Sequence, residues 1–206
     1  MTSYPLFPTL VEEYDLSGSS ALSTFKEIID TQGQKGHHFL AVTGESSHGR
    51  WDPFRVDESR PLVDLVVKCM QHYVDKVQLN PIMIGNAWYN ELPPGGWTKR
   101  HRHEFSTISG ALYLKLPKNS GDLYFVSPLQ GYRMCELHDG PSEWNEYEHD
   151  MPIKEDHLYL FPSWLEHGSR ENKSDESRVT VSFNTSPYFP ALPPEPTMVV
   201  QPIPSI

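Results

Sequence analysis

The sequence predicts an α+β chain in which two N-terminal helices support one face of a β-sandwich or barrel. Three observations carry that reading. Apolar residues recur twice at helical spacing before residue 79. After Gln78 the chain breaks into short β-branched and aromatic runs separated by Pro, Gly, Asn and Asp. Its 206 residues suffice for one sizeable core rather than two.

Residues 1–20 carry Pro5 and Pro8, which limit regular structure, and read as an extended segment laid against the core. Over Ser20–Gln32, Leu22, Phe25, Ile28 and Ile29 define a helix that Gly33 and Gly36 end. Residues 37–58 read as a loop-rich passage. The second helix, "DESRPLVDLVVKCMQHYVDKV", is better marked. Ser59 precedes it, Pro61 sits in its first turn, and Leu62, Leu65, Val66, Cys69, Met70, Tyr73 and Val77 share one face.

Five strand runs follow: "PIMIGNAWYNEL", "TISGALYLKL", "GDLYFVSP", "HLYLFP" and "RVTVSFNT". Between the third and fourth, residues 138–156 are acidic and poor in aliphatic side chains, either a lid over a site or a solvated insertion. The stretch after Ser186 is proline-rich and extended. The reading is one domain: helical support over 1–79, a β core over 80–186 and an extended tail over 187–206.

With 17 basic against 27 acidic residues, the formal charge is −10. That argues against duplex nucleic acid, whose phosphates need a basic surface, although Lys99, Arg100 and Arg102 form a local basic patch. Of the two cysteines, Cys69 falls inside the second helix and reads as a buried free thiol, in keeping with a reducing compartment. The first residues show no basic segment followed by an apolar run, and no stretch reaches the ~18 apolar residues of a membrane span. The expected location is cytoplasmic.

The chemistry concentrates in "HRHEF". Read as the opening of a strand, it aims His101 and His103 the same way, because side chains two apart share a face. Spacing alone fits a solvated pair equally well. "LYLFPSWLEHGSREN" adds a strand that ends at Pro162 and a short loop presenting His167. Three neutral imidazoles on one face of a divalent ion leave positions for small molecules, the arrangement of non-haem Fe(II) sites. Arg178 opens "RVTVSFN", and a buried guanidinium needs a carboxylate, either a protein acid or a small dicarboxylate. The remaining histidines, including His37, His38 and His48, read as solvated or locally hydrogen-bonded. "GESSHG" lacks the strand–turn–helix context of a serine nucleophile.

Taken in order, Trp88 to Asn90, His101 to His103, Ser109 to Leu114, Phe161 to His167 and Arg178 to Asn184 resemble the Fe(II)/2-oxoglutarate-dependent oxygenase superfamily. The nearest resemblance is to a branch found in marine phages and bacteria, and it covers about residues 80–186. It implies a double-stranded β-helix, jelly-roll or cupin-like, with supporting N-terminal helices. It further implies Fe(II) held by His101, His103 and His167, and 2-oxoglutarate gripped at its distal carboxylate by Arg178 with Thr180 or Tyr113. Asn86, Trp88 and Asn90 alternate on one strand and are read as pocket lining. The implied reaction hydroxylates an unidentified substrate with dioxygen while 2-oxoglutarate is oxidatively decarboxylated to succinate. A homodimer is compatible with the class.

One departure stands out. Most of the superfamily has Asp or Glu where this chain has His103, which leaves the site one negative charge short. Glu104 would point to the opposite strand face, and Asp122 reads as a turn residue after Gly121. The alternative is a cupin-like three-histidine metalloprotein that does not use 2-oxoglutarate. Gly95 with His101-x-His103, and Pro162 to His167 with Asn172, approximate the two cupin motifs. The glutamate expected after His103 is missing, however, and Arg178 has no task there. A non-catalytic β-sandwich with surface histidines would bind no stoichiometric metal.

Overall fold

Strand β5 (Ile108–Lys115) is buried along nearly its whole length, and its alternation explains the architecture. Ile108, Leu112 and Leu114 pack toward the helices, whereas Ala111 and Tyr113 pack into a second cluster on the other face. A strand apolar on both faces needs a layer on each side. In this computed structural model, which describes residues 2, 6–129, 131–133, 135–140, 142 and 144–188, both layers are present.

The other strands among the described residues are β1 (Glu12–Asp15), β2 (Gly36–His37), β3 (Glu45–Ser46), β4 (Ile82–Leu92), β6 (Leu123–Val126), β7 (Glu148–Met151), β8 (His157–Pro162), β9 (His167–Ser169) and β10 (Arg178–Pro187). They form a seven-stranded sheet, ordered β1-β8-β5-β10-β4-β3-β2, and a three-stranded sheet, ordered β7-β6-β9, with every pairing antiparallel. Two antiparallel sheets facing one another, with helices behind the larger, make the expected double-stranded β-helix.

Helices α1 (Ser20–Gln32) and α2 (Arg60–Val77) cover the outer face of the large sheet. Leu22, Phe25, Leu62, Val66 and Met70 meet Leu158, Leu160, Val181 and Phe183 there. The same β10 that buries Val181 and Phe183 against the helices turns Arg178, Thr180 and Ser182 into the space between the sheets. Period-two alternation thus sorts one strand into structural and site residues.

Several expectations shift. The α2 face ends at buried Val74 rather than at Val77, which is 37% exposed, because residue 74 continues the i, i+4 row from Met70. The loop-rich passage supplies β2 and β3, which extend the sheet beyond β4. The acidic stretch is not a loop throughout, and none of its described residues lines the space that Arg178, Thr180 and Ser182 enter: β7 pairs with β6, and Glu148 and Asp150 accept hydrogen bonds from Arg170 at 2.8 and 2.6 Å. "HRHEF" does not open a strand. Only His101 makes a bridge, and β5 begins at Ile108. Of the proline-rich tail, residues 189–206 lie outside the described residues.

Candidate metal centre and co-substrate pocket

His101, His103 and His167 converge. Each offers a ligand atom, and these atoms lie within 4.8 Å of one another. His101 and His167 are joined by a reciprocal backbone bridge, each N–H donating to the other's carbonyl at 2.9 Å. His103 donates its backbone N–H to the Ser163 carbonyl at 3.0 Å. His167 stands on β9, not on a loop, and Gly168 beside it is obligatory, since a Cβ there would lie 2.6 Å from Tyr124 Oη and 2.8 Å from the Thr98 carbonyl.

The donor atoms suit a divalent metal. His101 Nδ1 lies 2.8 Å from the Lys99 carbonyl, and His167 Nδ1 lies 2.8 Å from the Leu165 carbonyl. A carbonyl only accepts, so in each neutral ring Nδ1 carries the proton and Nε2 keeps its lone pair. Burial lowers all three imidazole pKa values from the usual range. His103, with His101 and His48 adding to the effect, falls to about 4. His101 is lowered against the opposing pull of the Lys99 carbonyl, and His167 is held well below its ordinary value. All three are therefore neutral, ligand-competent bases at pH 7. Among the described residues no carboxylate joins the cluster. Glu104 is 68% exposed in its side chain and pairs with Arg102 at 3.7 Å.

One cavity runs from these histidines to Arg178. Arg178 is 2% exposed. Its Nη1 donates to the Ser120 and Gly121 carbonyls at 2.8 and 2.6 Å, while Nε is buried without a partner among the described residues. A buried cation with no paired carboxylate and an unused donor is poised for an anionic ligand. Burial depresses its pKa, with the nearby Tyr113 and Asp122 opposing. Tyr113 and Thr180 line the cavity beside it, and burial raises the Tyr113 phenol to about 12.

Trp88 and Asn90 also line the cavity, whereas Asn86 does not. Asn86 is exposed, because β4 runs on past the rim toward its outer end. A further wall residue is His38, which the sequence reading left as a solvated or locally hydrogen-bonded loop histidine. It is 5% exposed, burial lowers its pKa to about 4, and its Nδ1 accepts the Leu40 N–H at 3.3 Å. Only the folding of residues 36–46 back beside β4 places it there, and no local pattern announces that.

Residues 86–184 match the family model described as "Putative 2OG-Fe(II) oxygenase". Over those residues the chain is similar to the 2OG-Fe(II) oxygenase superfamily, as its sequence motifs imply. Solved structures agree on the fold. A prolyl-4-hydroxylase from Pseudomonas putida is similar at TM-score 0.60 and 15% identity, covering 87% of this chain and 94% of its own. HygX from Streptomyces hygroscopicus, with nickel, 2-oxoglutarate and hygromycin B bound, matches at 0.61 and 12%, covering 88% and 84%. A viral collagen prolyl hydroxylase from Paramecium Bursaria Chlorella virus-1, as its 2-oxoglutarate complex, matches at 0.57 and 14%, covering 86% and 96%. No curated protein sequence matches. The superfamily's cofactors, Fe(II) and 2-oxoglutarate, are those expected from the sequence.

Proposed function

We propose that this protein is a dioxygenase that hydroxylates a C–H group of its substrate and converts 2-oxoglutarate to succinate and carbon dioxide. His101, His103 and His167 would hold Fe(II), and Arg178, with Thr180 and Tyr113, would hold the distal carboxylate of 2-oxoglutarate. The observation that carries the reading is one cavity with three neutral imidazoles at one end and a buried guanidinium lacking a paired carboxylate at the other. That guanidinium also counts against the cupin-like alternative, which gives it no ligand.

When bound, the iron supplies dioxygen activation and the oxidising power for C–H hydroxylation. The chain supplies the rest. Three fixed imidazoles would hold the ion, and among the described residues no carboxylate joins them to offset its charge. The dianionic co-substrate would therefore be the main source of neutralising charge, so metal and 2-oxoglutarate should strengthen each other's binding. Arg178, held by two backbone carbonyls, fixes the orientation of the chain between them. Trp88, Phe161 and Leu123 contribute apolar walls that restrict water.

The test is an anaerobic titration with Fe(II) and then 2-oxoglutarate, following the visible charge-transfer band, with succinate release measured after oxygen is admitted. A band that requires His103 and weakens without Arg178 supports the reading. Tight iron binding with no band would favour the cupin-like protein, and no stoichiometric iron would sink both.

A further inference from the structure

Three residues that recur in the sequence motifs, Ser109, Ser163 and Asn184, have no part in the chemistry above, yet they meet directly behind His103. Asn184 sets one end of its amide 3.4 Å from His103 Nδ1 and the other 2.9 Å from Ser109 Oγ. From Ser109 Oγ a line of hydroxyls continues to Ser163 Oγ at 2.8 Å, to Ser106 Oγ at 2.8 Å and to the Ile108 carbonyl at 3.1 Å. Ser109 and Ser163 are 1% and 0% exposed, so bulk water is excluded from the middle of the line.

The proton count gives this line a direction. Its far end is a carbonyl, which only accepts, so Ser106 donates to it. Ser163 must then donate to Ser106, and Ser109 to Ser163. Each serine has one proton, and all three are used. Ser109 Oγ has only lone pairs left for Asn184, so the amide must present N–H to Ser109 and its oxygen to His103. Reversing the line would leave the Ser106 hydroxyl facing the Ile108 carbonyl, which Thr185 Oγ1 also bonds, without a proton between them, and breaking it further in would leave two buried oxygens facing each other. The oxygen and nitrogen of an amide are nearly the same size, so the network rather than shape decides. An amide oxygen only accepts, so His103 carries its proton on Nδ1.

We propose that Asn184, its amide oriented by the Ser109–Ser163–Ser106 hydroxyl line, is a positioning residue that holds His103 in the Nδ1–H tautomer and presents Nε2 to the metal. The metal role rests on the reading of the preceding subsection; the tautomer does not. His101 and His167 reach the same tautomer through backbone carbonyls, and His103, lacking such a carbonyl partner, uses a side chain instead.

Two measurements test this. Long-range ¹H–¹⁵N correlations on the metal-free, ¹⁵N-histidine-labelled full chain at neutral pH report each ring's tautomer, with His103→Ala identifying the resonance. Protonation of His103 at Nδ1, changing to Nε2–H or to a mixture in Asn184→Leu and in Ser163→Ala, supports the proposal. Nε2–H in the wild type, or no change in Asn184→Leu, overturns it. Co(II) titration is the second readout. Asn184→Leu should bind ~10–100-fold more weakly, whereas Asn184→Asp, whose carboxylate still accepts from Nδ1–H, should stay within about threefold of wild type. Equal losses in both variants overturn the proposal. Asn184→Asp and Ser163→Ala keep the test decisive if leucine at 184 prevents folding. A wild type with the Nδ1–H tautomer and no Co(II) uptake would overturn the metal reading, and the metal role of Asn184 with it. Normal uptake with the opposite tautomer would overturn the proposal alone.

Discussion

His101 and His167 exchange backbone hydrogen bonds, N–H to carbonyl in both directions at 2.9 Å, while their rings stand 4.5 Å apart. Two candidate ligands far apart in sequence are therefore fixed to each other by main chain before any metal arrives. A site built this way is preformed, and little ordering has to accompany binding.

His167→Ala should consequently keep the fold and lose the metal. The bridge uses backbone atoms that alanine retains. Wild type should gain melting temperature on adding Co(II), through mass action on the native state. The variant should show no such gain, and its Co(II) affinity should fall on the order of 100-fold or more, beyond the loss expected for an outer-shell partner. An unchanged Co(II)-dependent gain would remove His167 from the ligand set.

Arg178→Lys tests the other end of the pocket. Lysine keeps the charge but has no planar fork and cannot reproduce two donations from Nη1 alongside a free Nε. Binding of 2-oxoglutarate to the metal-loaded protein should weaken roughly 10–100-fold, about 1.4 kcal/mol for each factor of ten. Calorimetry of the co-substrate titration measures it. Unaltered affinity would mean that the carboxylate binds elsewhere.

How much of this was legible beforehand depended on the range of the signal. Helix α1 was readable because Leu22, Phe25 and Ile29 repeat within one helix, and β8 and β10 because alternation is local. The three histidines could be nominated, but only folding makes His101 and His167 neighbours. His38 was missed for the opposite reason. A histidine doublet in a loop looks solvated, and its burial depends on pairing of short strands β2 and β3, whose two residues each carry almost no periodicity. Asn86 was over-read: alternation gives the face of a strand but not where the pocket stops along it.

Gly110→Ala should destabilise the sheet next to the pocket. A Cβ at this position would lie 2.2 Å from Phe183 Cε1 and Cζ, and the Phe183 ring, fully buried, also packs on Phe54 at 5.5 Å between centroids. It has no free direction in which to move. Overpacking of this kind typically costs about 1–3 kcal/mol. In a domain of this size that lowers the melting temperature by about 2–4 °C per kcal/mol. A thermal melt decides it, and a variant as stable as wild type would show that the ring can be displaced without cost.

The metal-free protein should lose stability as pH falls from about 6.5 toward 4, well before bulk carboxylate protonation. His38 and His103 have pKa values lowered from the ordinary 6.5 to about 4, with burial the leading cause in each. Between those limits the unfolded chain binds protons that the folded chain refuses. The sign follows from linkage: more protons on the unfolded state means that stability rises with pH, so it is fully present above 6.5 and drains away as pH drops through the window. Where a group is fully protonated unfolded and fully neutral folded, the slope is about 1.4 kcal/mol per pH unit. His101 and His167 are shifted in the same direction and add to it. Denaturant unfolding at half-unit steps from pH 7.5 to 4.5 gives the slope. His38→Asn should make it shallower by one group's share, because His38 is 5% exposed and titrates only on unfolding. Co(II), which competes with protons for the three candidate ligands, should hold stability up further into acid. A profile that is flat from pH 7 to 5 in the metal-free protein would mean that these rings accept protons while folded, and the pocket would then be far wetter than its buried histidines imply.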